Sequence, residues 1–315
     1  MVRRLLLGLA AVTAVAVLLL ARWLHVAHDW HPMIALLAAG AMPVVVDAAI
    51  LGQQFVLAGW LRRRVRPDLR FGIGATLRAW GGEIAASMRT FFYAQIRHAA
   101  RPLPSGDDPA RMPVLLVHGY FCNHGIWYAF ARWLAARGHA VEAVDLEPVF
   151  GALDGSVEIV ANGVERLRSR TGAARVAVVA HSMGGLAARA YLAARGHEAV
   201  AAVVTLGTPH RGTWLARFSR AANVVQMRLD CEWLRALAGG ETPTTRALFT
   251  VVISHHDNIV VPAAIQTLEG ARTVELVGRG HVELAYDRDV WAHVAAALDA
   301  AQEPDTATLR SGCRA

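Results

Sequence analysis

The sequence predicts an α/β fold: a mostly parallel central sheet with helices on both faces, preceded by N-terminal transmembrane helices. Three observations carry this. Beyond residue 110, short apolar runs alternate with stretches of helical spacing, the pattern of strand–helix units stacked into a parallel sheet. At Arg175–Ala190, RVAVVAHSMGGLAARA, the apolar run Val176 to Ala180 stops at His181-Ser182-Met183-Gly184-Gly185, and a small-residue helical pattern begins at once. Before residue 70, apolar runs of bilayer length dominate.

Taken in order, the first element is Leu5 to Ala21, an uninterrupted apolar run preceded by Arg3 and Arg4. At about 17 residues it sits at the lower limit for crossing a bilayer. Arg22 to Trp30 offers no small-x-small cleavage site, which weighs against the rival reading, a removable signal peptide. A second apolar stretch, Met33 to Leu61, is broken by Pro43, Asp47, Gln53 and Gln54. Asp47 would cost about 3 kcal/mol in hydrocarbon if left alone. Its carboxyl is therefore expected to be protonated or hydrogen-bonded within the helix pair. Residues 1–70 read as a membrane anchor, a two-helix hairpin.

The formal charge is +7, and the chain contains no lysine. Eight arginines against three aspartates give residues 1–70 a net +5, which leaves +2 for the other 245 residues. The basic balance is thus a membrane flank, not a nucleic-acid face. Arginines stand before the first run and from 62 to 70, with Arg22 alone between. The positive-inside rule then holds both hairpin ends, and the domain beyond, in the cytoplasm. That describes a multi-pass protein of a bacterial inner membrane. A single anchor with the domain outside is the alternative.

Ile73, Leu77, Trp80, Ile84, Met88, Phe91 and Ile96 recur at helical spacing. They predict an amphipathic helix whose apolar stripe packs on the following domain or lies in the membrane interface. Arg101 to Pro109 is rich in turn and breaker residues and closes a connecting region over 71–110. About 200 residues remain, enough for one core: a domain over 111–301 and a flexible tail over 302–315. Strands are read at Met112–Val117, Ala140–Val144, Val176–Ala180, just before Leu206, at Ala247–Ser254 and at Thr273–Val277. Helices are read at Ile126–Arg137, Val157–Arg170, Gly185–Arg195 and Asp289–Ala301. No internal repeat is evident.

A serine between strand and helix stands on a tight turn with its hydroxyl exposed. The turn needs small residues two before and two after, because strand and helix pass close together. Ala180 and Gly184 fill those places, Ala180 departing mildly from the usual glycine. Upstream, the strand from Met112 runs into a loop at His118-Gly119. Downstream, Ala247–Ser254 ends in His255-His256-Asp257, and Thr273–Val277 leads into Gly278-Arg279-Gly280-His281. Ser182, Asp257 and His281 thus follow one another as nucleophile, acid and base. With Leu206-Gly-Thr-Pro-His-Arg-Gly-Thr213, these motifs make residues 113–298 resemble the lipase branch of the α/β-hydrolase superfamily, small bacterial lipases in particular. The resemblance implies the α/β-hydrolase fold, a catalytic triad of Ser182, His281 and Asp257, and an oxyanion hole from the backbone N–H groups of Tyr120 and Met183. Larger lipases carry a bulky lid where this chain has only a short segment, Thr213 to Arg246.

Serine at 182 points to acyl transfer, where aspartate would point to dehalogenase or epoxide chemistry. The activity expected is hydrolysis of carboxylic esters, lipid-like acyl esters drawn from the membrane. An acyltransferase or thioesterase with the same triad is the alternative, and an inactive membrane interaction protein a remoter one. The apolar segment Trp214 to Leu234 is expected to pack on the sheet and to line an acyl pocket, with Phe121, Trp214, Leu215 and Phe218 as substrate-binding candidates. Asp145 and Glu147 compete with Asp257, but the place after the penultimate strand favours Asp257. His181 reads as packing and turn geometry. No cofactor, metal or protein partner is expected. His210, His255 and His256 lack zinc spacing, and Asp287 and Asp289 read as helix-start caps before a calcium site. Cys122, Cys231 and Cys313 do not make a disulfide framework.

Overall fold

The computed structural model describes residues 1–302, so the expected tail beyond Gln302, with Cys313, lies outside the described residues. Val2–His28 (α1) and Pro32–Val65 (α2) pack together as a hairpin. At 27 and 34 residues both are long and apolar enough to cross a membrane. Each runs past its apolar stretch, since arginine and histidine continue a helix without difficulty. Asp47 has a partner, but not within the pair: the Ser87 hydroxyl of a third helix donates to it at 3.1 Å. The expectation of a partner inside the hairpin is corrected accordingly.

The third helix, Ile73–Arg89 (α3), continues through a π-helical turn, Thr90–Ala94, into Gln95–His98 (α4). The amphipathic helix is present, but its faces are used differently from what the periodicity implies. Ile73 and Leu77 are exposed, and Met88 and Phe91 line a groove with Leu9, Val12 and Met42 of the first two helices. Toward the sheet domain the helix turns Thr76, Glu83 and Thr90, which meet His256, Val282 and Tyr286. The helix has two kinds of neighbour, and of its apolar stripe Trp80 and Met88 go to the apolar hairpin while Ile73 and Leu77 stay exposed.

Among the described residues six strands form one parallel sheet. They are Val114–Val117 (β1), Val141–Val144 (β2), Val176–His181 (β3), Val200–Leu206 (β4), Phe249–Ser254 (β5) and Arg272–Leu276 (β6), ordered β2-β1-β3-β4-β5-β6. Parallel neighbours require crossovers. These hold Tyr128–Ala135 (α5), Ser156–Thr171 (α6), Met183–Arg195 (α7) and the shorter Ala222–Val225 (α8), Glu232–Gly239 (α9) and Pro243–Ala247 (α10). Arg288–Gln302 (α11) closes the domain. The strand read from Ala247 starts at Phe249 because Pro243 seeds α10 just before it.

Successive strand residues point to opposite faces, and both faces are covered. Leu115, Val117, Val178 and Val251 pack with Val164 and Leu167 of α6 and Leu186 of α7. Val114, Leu116, Val179 and Val252 pack with Phe130 and Leu134 of α5 and Val294 and Leu298 of α11. At the outer edge of β2, the Val141 N–H donates to the Ser105 hydroxyl at 2.9 Å and its carbonyl accepts from Arg170 at 2.8 Å. The loops after β1, β3, β5 and β6 gather at the carboxyl ends of the strands, where open α/β sheets place their ligand sites.

Candidate active site

β3 meets α7 at Ser182, whose φ of 55° and ψ of −126° lie in a region a serine occupies only when its surroundings impose it. The close approach is measurable at Gly184. A Cβ there would come within 2.6 Å of the carbonyl oxygens of Val117 and His118. On the strand side, Ala180 is fully buried, so its methyl group is accommodated where glycine is usual.

Two other strand ends reach this point. Asp257, three residues past β5, accepts the N–H groups of Ile259 at 2.9 Å and Val260 at 2.7 Å through Oδ1. Its Oδ2 lies 2.8 Å from Nδ1 of His281, whose Nε2 lies 2.9 Å from the Ser182 hydroxyl. Ser182, Asp257 and His281 are 7%, 2% and 4% exposed, so water does not screen the interactions among them. Burial alone would lower the His281 pKa; the charge of Asp257 and its hydrogen bond outweigh this and raise it. The arrangement can withdraw a proton from the serine hydroxyl and hold the resulting imidazolium.

His118 donates through Nδ1 to the Gly119 carbonyl at 2.9 Å and accepts the Leu146 N–H at Nε2 at 3.1 Å, pinning the loop that carries Tyr120. Met183 opens α7, where first-turn amides have no acceptor within the helix and the helix dipole favours negative charge. His181 binds the His281 carbonyl through Nε2 at 3.0 Å. Burial, then the neighbouring His281, push its pKa down to about 3, so it supports the backbone of that loop as a neutral ring.

The four substrate-binding candidates fall in two places. Phe121, itself at φ 55°, forms an aromatic cluster with Tyr120, Phe150 and Phe91, ring centroids 6.3–6.5 Å away. Trp214 and Leu215 instead pack on Ala58 and Leu61 of α2 and on Val261. Phe218 is 71% exposed and edge-on to Trp214. Further along the same segment, Val224, Met227 and Leu234 are buried in the cluster that contains Met183.

The competitors are engaged elsewhere. Asp145 accepts from His124 through both its backbone N–H, at 2.6 Å, and Nδ1, at 2.9 Å. Burial would raise its pKa, but His118 and His124 hold it well below the usual carboxylate range. His210 contacts Thr205, His255 contacts Glu275, and His256 contacts Thr76 and the Gly278 N–H. Among the described residues no group of three or more His, Cys, Asp or Glu is arranged to hold a metal. Asp287 caps α11 by accepting from Asp289 and Val290, and Arg279 pairs with both aspartates. Burial pushes the Cys122 thiol up to about 12, which leaves it no thiolate at neutral pH.

Two residues beside the triad, Asn258 and Glu83, have no counterpart in the sequence reading, and a third, Gln54, figures there only as a break in an apolar stretch. Asn258 receives the His281 N–H at 3.1 Å and donates to Gln54 of α2 at 2.8 Å. Glu83 of α3 accepts the N–H groups of Val282 and Glu283, each at 3.0 Å. The only available signals were a lone acid in a helix otherwise free of Asp and Glu and an asparagine directly after Asp257.

The chain is similar to known proteins over the sheet domain. Residues 108–275 match the family described as "PGAP1-like alpha/beta domain". A triacylglycerol lipase of Burkholderia plantarii is 31% identical over 224 residues, covering 65% of this chain and 58% of that protein. One of Pseudarthrobacter phenanthrenivorans is 33% identical over 178 residues, 52% of each. The chain therefore spans a little over half the length of these relatives. Among solved structures, the mature Bacillus licheniformis lipase BlEst2 superposes with a TM-score of 0.55 at 17% identity, covering 63% of this chain and 96% of that one. Aspergillus fumigatus lipase B superposes at 0.54 and 20% identity, covering 62% and 55%. At such identities these two likenesses speak to the fold, which is that of the α/β hydrolases.

Proposed function

This chain belongs to the PGAP1-like α/β domain family, and on that premise we propose that it is a membrane-anchored serine hydrolase of carboxylic esters with lipid-like acyl chains. One observation carries the reading: the hydrogen-bonded sequence Ser182–His281–Asp257, with the serine on a strained turn. The triacylglycerol lipases it resembles support the substrate class.

In the proposed mechanism His281 Nε2 removes the Ser182 proton as the hydroxyl oxygen attacks the ester carbonyl. Asp257 fixes the imidazole tautomer and stabilises the imidazolium. The N–H groups of Tyr120 and Met183 receive the oxyanion, each donor being worth about 3 kcal/mol of barrier. His281 then returns its proton to the departing alcohol, and water, activated by the same nitrogen, releases the acid. The aromatic cluster at Tyr120, Phe121 and Phe150 is proposed to take the acyl chain, because it adjoins the oxyanion loop. Trp214 and Leu215 are proposed to act at the membrane side, because they sit on α2, and Phe218 with them, because it is exposed beside Trp214.

The two apolar helices are proposed to anchor the chain as a hairpin with both ends cytoplasmic, following the arginines at 3, 4 and 62–70. A reporter active only outside the cytoplasm should be silent when fused after Arg70 and active near Asp29. The activity is tested by labelling the full-length protein with a fluorophosphonate and by hydrolysis of p-nitrophenyl esters of graded length. Labelling at Ser182 and a preference for medium or longer chains are expected. Absence of labelling on folded protein, or a strict preference for acetate, overturns the reading.

A further inference from the structure

We propose that Glu83 is a positioning residue for His281, and that with Gln54 it makes the helices preceding the sheet domain part of its catalytic apparatus. This rests on the hydrolase reading of Ser182 and adds the device that keeps the base in place.

Ahead of a single 3-10 turn, Glu283–Ala285, the base loop is irregular, and its successive amides are bound by side chains one after another. Gly280 N–H donates to Glu283 at 3.0 Å, His281 N–H to Asn258 at 3.1 Å, and those of Val282 and Glu283 to the two oxygens of Glu83. Glu83 comes from α3, some 200 positions away in sequence, and is fully buried. Contact on the other side of His281 is equally close: a Cβ on Gly280 would lie 2.6 Å from the Glu83 Cβ, so only glycine lets the backbone rest on this side chain. One turn earlier, Arg78 of the same helix binds the Gly278 carbonyl and pairs with Glu283. From α2, Gln54 fixes the Asn258 amide that in turn receives His281.

The chemistry calls for a carboxylate. Both oxygens accept an N–H, whereas glutamine would aim its own NH₂ at one of the two donors. A neutral side chain would be cheaper to bury, and burial pushes the Glu83 carboxyl up to about 7. A costly charge held against two amides beside the base fits a positioning role better than a packing one. The object positioned is the 2.9 Å contact between His281 and Ser182. A displacement of about 1 Å in such a contact can cost 100-fold in rate.

The test uses the full-length protein in detergent micelles at pH 8, with Glu83→Gln and Gln54→Ala beside the unaltered chain. Fluorophosphonate labelling rate, kcat and KM on one p-nitrophenyl ester, and melting temperature are measured for each. Glu83→Gln is expected to lower kcat and the labelling rate by about 10- to 100-fold, with KM and melting temperature unchanged or the latter raised. Gln54→Ala is expected to lower kcat by a smaller factor, again at constant KM. Wild-type kcat in Glu83→Gln overturns the proposal, as does a loss of activity that only tracks a loss of folded protein. If Glu83→Gln does not fold, wild-type kcat in Gln54→Ala overturns it. A folded but unlabelled wild-type chain overturns the hydrolase reading and this proposal together; a labelled wild type with an equally reactive Glu83→Gln overturns this proposal alone.

Discussion

The sheet domain and the N-terminal hairpin bury opposite things. In the sheet, Leu115, Leu116, Val179 and Val204 are wholly covered, and polar groups lie at strand ends and loops. In the most apolar stretches of α1 and α2, only 6% and 17% of residues are buried, and leucines and valines point outward. α3 and the π turn after it lie between the two and obey both, giving Met88 to the hairpin, Glu83 and Thr90 to the domain, and Phe91 to each. Outward apolar side chains suit hydrocarbon as solvent, while inward polar groups must be hydrogen-bonded one by one. A helix at the junction is therefore polar where it meets protein.

The largest effects that would sharpen this contrast lie at the triad. Ser182→Ala and His281→Ala should each lower kcat by about 10⁶-fold, and Asp257→Asn by about 10⁴-fold, in ester hydrolysis by folded protein. Asp145→Asn should stay within about tenfold of wild type; a greater loss than at Asp257 would mean the wrong acid. Next comes the core: Phe130→Ala should cost about 3–5 kcal/mol in denaturant unfolding of the domain, since Phe130 is 1% exposed.

An intermediate effect follows from Glu83, whose pKa is raised from 4.5 to about 7 by burial, partly offset by the Val282 amide and His281. Ionisation of the group costs more in the fold than in the unfolded chain, and the carboxylate is present above about pH 7. The group's stabilising contribution is present below pH 4.5 and is lost as pH rises through 7, roughly 3 kcal/mol in all. Glu83→Gln does not titrate, so its melting temperature should gain on wild type by several degrees between pH 5 and pH 8. Equal slopes for the two proteins would show that His281, Asp257, Glu283 and Arg78, which surround the group, carry the pH dependence instead. The smallest effect belongs to the hairpin. Leu19→Ala, at a side chain 62% exposed, should change stability in detergent by under about 0.5 kcal/mol, and a core-sized loss would show that α1 packs against protein there.

The sheet and the spacing of Ser182, Asp257 and His281 were legible because each belongs to a local pattern. A strand stops, a loop turns, and a chemical residue stands at the break. Glu83 was not legible, because its partners Val282 and Glu283 lie about 200 residues away and no periodicity links them. The α3 stripe was readable as a period but not as a direction. Hydrophobic spacing marks the side that avoids water, and here only part of that side, at Trp80 and Met88, faces the two apolar helices. The same blindness explains Asp47, whose partner Ser87 stands on α3, outside the hairpin.

The edge of β2 has a consequence for crowding. A bare edge strand offers its amides and carbonyls to any neighbouring copy. Both Val141 backbone groups are already taken by Ser105 and Arg170. At the opposite edge β6 exposes Arg272 and Glu275. Such charges and occupied groups discourage one sheet from extending into the next, so molecules that meet side by side can collide without zipping together.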